Sequence, residues 1–210
     1  MSRRPIPPDP APPEGVEHLG RELLHDGFLP VEKRTLRHRL FAGGWSQPLT
    51  REVVRRGVAV AVIPYDPVRR RVVLIEQFRI GAQLADQPAW QVEVVAGLVE
   101  PGEDHAAVAR RELQEEAGLE ALDLEPVQGV VASPGAMDET VWLYAARVDA
   151  EAAQGIHGLD HEGEDIRVFT VSLDELADLV DRGGLTNSTT LIAALWLLRH
   201  HGDLDAAWTG

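Results

Sequence analysis

Glu112, Glu115 and Glu116 stand together near the end of the stretch GLVEPGEDHAAVARRELQEEAGL, residues 97–119. On a helix, steps of three and four residues return to one face, so the three carboxylates share a stripe. Like charges at that spacing destabilise an isolated helix by roughly 0.2–0.5 kcal/mol per pair, a poor choice for structure alone. A divalent cation would reverse the sign of that effect. Carboxylate oxygens are hard ligands suited to Mg²⁺ or Mn²⁺, and Mg²⁺ is usually shared between a few carboxylates and the phosphates of a substrate. Thiolate sites are excluded, because the chain has no cysteine. A bare ExxEE also describes a solvated acidic face with Arg110 and Arg111 as local partners, so its surroundings must decide.

Those surroundings predict a helix from about Asp104 to Ala117 with Ala106, Ala109, Leu113 and Ala117 as its apolar stripe. Gly97, Gly102 and Gly118 fall where the chain turns into and out of it, Gly118 as a left-handed C-cap. Gly97, Glu103, Arg111-Glu112-Leu113, Glu115-Glu116 and Gly118-Leu119 together resemble the box of the Nudix hydrolases at each fixed position. The resemblance implies an α+β Nudix fold, a mixed β-sheet sandwiched between α-helices. It also implies hydrolysis of a nucleoside diphosphate linked to another group, and a structural role for Gly97, Glu103 and Arg111, the last two bracing loop against helix.

Composition sets outer bounds. The chain has 210 residues, 44% hydrophobic and 26% charged, enough for one substantial core and a small accessory domain. No apolar run has the roughly 18 residues of a membrane span, and no signal sequence opens the chain, so a cytoplasmic enzyme without a membrane partner is expected. The net charge of −14 argues against a nucleic-acid partner held by charge. A small phosphorylated substrate stays possible, since cations and one or two arginines neutralise it locally.

Residues 1–15 hold six prolines and few apolar side chains, and are read as a disordered or polyproline arm. Residues 16–56 are expected to form a small antiparallel β module of three strands, and 57–210 the catalytic domain. In the latter, 57–66 and 71–80 read as a buried hairpin, and further strands are predicted over Trp90–Val95, Val127–Ala132, Val141–Val148 and Ile166–Val171. A short helix is expected over Ser172–Asp181. A last one opens near Asn187 or Ser188, with Leu191, Ile192, Leu195 and Leu198 facing the core.

Beyond the box, LFAGGWSQPLTREVVRRG, VLIEQFR, VAGLVEPGE, ASPG, GIHGLDHEGEDIRV and ALWLLRHH resemble the bacterial ADP-ribose pyrophosphatases, from about His18 to Trp208. Pro134, sixteen residues past the box glycine, matches the marker of that subfamily. The resemblance implies that the Ala96 carbonyl and the carboxylates of Glu112, Glu116 and Glu164 hold two to three cations, Mg²⁺ or Mn²⁺, with Glu115 sharing the cluster. Arg79 would reach the phosphates. Glu162, in the loop 157–166, would be the general base, with His161 as its competitor on the ground of its ordinary pKa. Phe28, Arg51 and Glu52 would recognise adenine by stacking and by accepting from its amino group. Ser133, Gly135 and Glu139 would face the terminal ribose. The subfamily also implies a homodimer with exchanged N-terminal modules. Two other readings remain open: hydrolysis of another nucleoside diphosphate sugar such as GDP-mannose, and a regulator that binds ADP-ribose without cleaving it.

Overall fold

The computed structural model describes residues 9–209, so the first eight residues of the expected arm lie outside the described residues. The chain divides into two compact units, Met1–Gly57 with Val131–Thr140, and Val58–Val130 with Val141–Gly210.

In the first unit, β1 (Val16–His25), β2 (Val31–His38) and β3 (Leu49–Val54) form an antiparallel sheet in that order. Cross-strand register sets Glu17 opposite Arg37 and Glu22 opposite Lys33, and both pairs form ion pairs. The interior of this unit is ionic. Glu32 is fully buried and accepts from Arg34 Nε at 2.7 Å, Arg55 Nη1 at 3.0 Å and the guanidinium of Arg21. Asp9, inside the stretch read as an arm, binds Arg34 through both oxygens at 2.6 and 2.7 Å and Arg55 at 2.9 Å. Residues 131–140 join the same network. Asp138 accepts from Arg55 Nε at 2.7 Å and from the amides of Arg56 and Gly57 at 2.6 and 3.2 Å, and Val54 donates to the Ala136 carbonyl at 2.9 Å.

The second unit carries β4 (Val58–Asp66), β5 (Arg71–Phe78), α1 (Ile80–Leu84), β6 (Trp90–Glu93), β7 (Val95–Leu98), α2 (His105–Ala117), β8 (Asp123–Val131), β9 (Thr140–Arg147), β10 (Gly155–His157), β11 (Ile166–Ser172), α3 (Leu173–Asp181) and α4 (Ser188–Thr209). The sheet runs β10-β11-β5-β4-β9-β8, with β6 on β5 and β7 on β4. Period-two alternation along β4 feeds two cores: Ala59, Ala61, Ile63 and Tyr65 pack with α3 and α4, Val60 and Val62 with α2. The sheet is thereby sandwiched between helices, as the α+β expectation requires. Ser172 and Glu175 close a capping box at the start of α3. Among the described residues, no helix is long and apolar enough to cross a membrane.

Two expectations fail locally. The single strand read over Trp90–Val95 is two strands on different neighbours, because the Val94 amide leaves the ladder and donates to Thr190 Oγ1 at 3.1 Å. On α4, Leu195 is half-exposed, while Thr190, Ala193, Ala194, Leu197, Leu204 and Trp208 are buried. Residues 191–198 are apolar without a break, so leucine spacing fits more than one face there. The alanines permit close approach to the sheet, and the Thr190 bond fixes the rotation.

Candidate active site

The box helix α2 is set by its ends. The Asp104 carboxylate accepts from the Ala107 amide at 2.9 Å, and Gly118 closes the helix at φ 67°. Val108, Ala109, Leu113 and Ala117 bury one face against Val60, Val62, Val73, Ile75, Ile166 and Val168. Glu112 and Glu116 are then pressed toward β7. Glu116, 3% exposed, accepts from the Ala96 amide at 2.9 Å. At Gly97 an added Cβ would stand 1.9 Å from the carboxyl carbon of Glu112, so only glycine lets strand and carboxylate approach this closely. Arg111 donates to Glu103 at 2.7 Å and to Glu112 at 3.0 Å, while Glu103 accepts from the Glu100 amide at 2.7 Å, tying loop to helix.

The loop after β10 is fastened to the same helix. Gly158 donates to the Glu115 carbonyl at 3.3 Å, and Glu164 accepts from the Leu159 amide at 3.0 Å. A Cβ on Gly158 would approach that of Glu164 to 2.6 Å, so glycine there leaves room for the Glu164 side chain. The backbone of Glu162 ends a short 3₁₀ turn, Asp160–Glu162, followed by Gly163 at φ 73°. The Glu162 side chain lies outside the described residues.

Electrostatics single out this cluster. Burial raises Glu116, the Ala96 amide opposes that, and repulsion from Glu164 and Glu112 adds to it, so the carboxyl is pushed up to about 8. Burial likewise raises Glu112, Arg111 pulls it back, and Glu115 and Glu164 raise it again. Arg79 follows β5. Burial weakens its charge, but Glu93, by hydrogen bond and by charge, and then the charges of Glu116 and Glu164 hold it protonated. Glu112, Glu115, Glu116, Glu164, Arg79 and Ala96 thus share one neighbourhood in the second unit.

Hard oxygen donors whose mutual repulsion is only partly offset by Arg111, Arg79 and the Ala96 amide fit a divalent cation. Among the described residues no three His, Asp or Glu side chains converge as a finished cage. The carboxylates instead engage Ala96, Arg111 and Leu159, partners they would share with or yield to a cation.

Phe28, Arg51, Glu52, Ser133, Gly135 and Glu139 all belong to the first unit. The cation over Phe28 is Arg56, 5.3 Å from the ring centroid, and the same guanidinium donates to Glu139 at 3.2 Å. Arg51 is exposed and donates to the Thr50 carbonyl at 2.8 Å. Arg56 thereby links two expected substrate residues that are far apart in sequence. Nothing in TREVVRRG separates it from its neighbours Arg51 and Arg55, so pattern reading could not find it.

Residues 55–189 match the NUDIX domain. The chain is 45% identical over 193 residues to the ADP-ribose pyrophosphatase of Escherichia coli strain K12, covering 92% of each. It is 39% identical over 198 residues to the ADP-ribose pyrophosphatase of Haemophilus influenzae, covering 93% of this chain and 91% of that one. The fold is similar to the crystal structure of an ADP compounds hydrolase, with TM-score 0.70 and 21% identity over 96% of this chain and all of that one. With the box on α2, its glycine against Glu112 and a domain match over most of its length, this chain belongs to the NUDIX domain family of hydrolases.

Proposed function

We propose that this protein hydrolyses the diphosphate of ADP-ribose to AMP and ribose 5-phosphate in a Mg²⁺-dependent reaction, with Mn²⁺ able to substitute. The observation that carries this is Glu116, a buried carboxylate beside Glu112 and Glu164 whose repulsion the Ala96 amide and the charge of Arg79 offset only in part. Two relatives named ADP-ribose pyrophosphatase, matched over more than nine-tenths of the chain, supply the substrate class.

Glu112, Glu116, Glu164 and the Ala96 carbonyl would hold two to three cations, with Glu115 beside them. Bound there, such cations would draw charge from the diphosphate oxygens and lower the pKa of a nearby water. Arg79 binds a phosphate oxygen, adding a fixed positive charge where negative charge develops. Glu162 takes one proton from the water as its oxygen bonds to phosphorus and the bridging P–O bond breaks. Phe28 and Arg51 hold the adenine ring and Glu52 accepts from its amino group. Ser133, Gly135 and Glu139 face the terminal ribose. A homodimer with exchanged first modules and a cytoplasmic location complete the proposal, and rest on resemblance to the subfamily.

A Mg²⁺-dependent panel of nucleoside diphosphate sugars tests it. ADP-ribose should give the highest kcat/KM; an equal or higher value on GDP-mannose would displace it, and tight binding without turnover would make the protein a regulator. Glu162→Gln should lower kcat by roughly 10²–10⁴. If His161→Ala does so instead while Glu162→Gln leaves turnover intact, the base is His161.

A further inference from the structure

Glu93 is 4% exposed at the end of β6, and nothing in the proposed chemistry uses it. An ionised carboxylate so buried is costly unless its oxygens are filled. Here they are filled from two directions. Arg79 donates from Nη2 at 2.8 Å and from Nε at 3.1 and 3.2 Å, and Gln77 adds Nε2 at 3.3 Å. From the other side Asn187 donates its Nδ2 at 2.9 Å.

Asn187 has a second task. Its Oδ1 accepts from the Thr190 amide at 3.0 Å, capping α4, while Thr190 Oγ1 accepts from Val94 beside Glu93 at 3.1 Å. The start of α4 is therefore bolted to β6 at the residue that grips Arg79. The grip is one-sided. The Glu93 side chain is 5% exposed and that of Arg79 46%, and Nη1 of Arg79 makes no hydrogen bond among the described residues. A guanidinium is a rigid planar fork, so fixing Nε and Nη2 also fixes the direction of Nη1.

We propose that Glu93 and Asn187 are a positioning pair that holds the Arg79 guanidinium ready for a phosphate oxygen of the diphosphate, linking the start of α4 to substrate affinity. This rests on the reading that Arg79 touches the diphosphate. Pre-setting the fork lowers the entropy lost on binding, so the pair acts chiefly on affinity.

The test is steady-state kinetics on full-length protein with ADP-ribose and saturating Mg²⁺. Glu93→Gln should raise KM about 10- to 100-fold, the equivalent of a weakened charge-assisted hydrogen bond, with kcat much less affected. Asn187→Ser keeps a good capping oxygen but removes the donor to Glu93, and should raise KM about threefold without lowering Tm appreciably. In an Arg79→Ala background, Glu93→Gln should change KM no further. An unchanged KM in Arg79→Ala alone would mean that Arg79 does not touch the diphosphate, a failure of the underlying reading. A raised KM in Arg79→Ala, with Glu93→Gln adding its full effect on both backgrounds, would overturn the positioning pair itself. So would an unchanged KM in both Glu93→Gln and Asn187→Ser.

Discussion

Glu32 and Glu116 are the same residue type, both almost entirely removed from water, and their surroundings push them in opposite directions. Burial alone would raise Glu32, but hydrogen bonds from Arg34, Arg21 and Arg55 outweigh it and hold the carboxyl below the usual carboxylate range. Glu116 is raised by burial, receives one amide bond from Ala96, and is raised again by Glu164 and Glu112. One region supplies its own counter-charges and is complete as folded. The other gathers like charges, and Arg111 on Glu112 and the charge of Arg79 near Glu116 offset only part of their repulsion. Burial of a carboxylate therefore says little about role until its partners are counted.

Neutralising each acid should have opposite consequences for stability. Glu32→Gln strips the common acceptor from three arginines and should destabilise the protein by about 3 kcal/mol, at the lower end for a broken buried ion pair because Asp9 and Asp138 still engage Arg34 and Arg55. Glu116→Gln should stabilise the metal-free protein at pH 7, on the order of 1–3 kcal/mol. The folded carboxyl is raised from an ordinary 4.5 to about 8, so between those values the folded state binds more protons than the unfolded. Stability then falls as pH rises through that window, and the glutamine variant should lose that slope. Denaturant titrations with chelator from pH 5 to 8 measure both. Destabilisation by Glu116→Gln would mean that its carboxylate is a structural partner like Glu32.

Legibility in the sequence followed the same division. The acidic stripe and Gly118 are readable because each reflects a local rule, helix periodicity and a left-handed cap, whereas Gly97, expected at a turn, lies inside β7, where its close approach to Glu112 has no local signature. The network around Glu32 is not readable. VEKRTLRH looks like an alternating surface strand, and only the fold brings Arg21, Arg55 and Asp9 to it, from 11, 23 and 23 positions away. Glu93 was hidden for the same reason, since Asn187 lies 94 residues on. The grouping of Val131–Thr140 with the first unit depends on Asp138 meeting the amides of Arg56 and Gly57, a pairing without a local signature. Leu195 differs for another reason, because apolar spacing cannot choose among faces where residues 191–198 are apolar without a break.

Asp9 titrates in the opposite sense to Glu116, at acid pH. Hydrogen bonding from Arg34 lowers its carboxyl most, burial opposes this, and the charges of Arg34 and Arg55 take it down to about 2. A depressed acid contributes stability above its unfolded value of 3.8 and loses it as pH falls toward about 2, the reverse of Glu116. The side chain is 36% exposed, so solvent screening limits the contribution to below about 1 kcal/mol. Asp9→Asn should therefore lower stability slightly at pH 5 and flatten the acid limb between pH 4 and 2, leaving the slope between pH 5 and 8 unchanged. The two windows do not overlap, so one set of pH-dependent unfolding curves separates them. If Asp9→Asn altered the neutral slope instead, that slope could not be assigned to Glu116 alone, and the contrast drawn from it would fail.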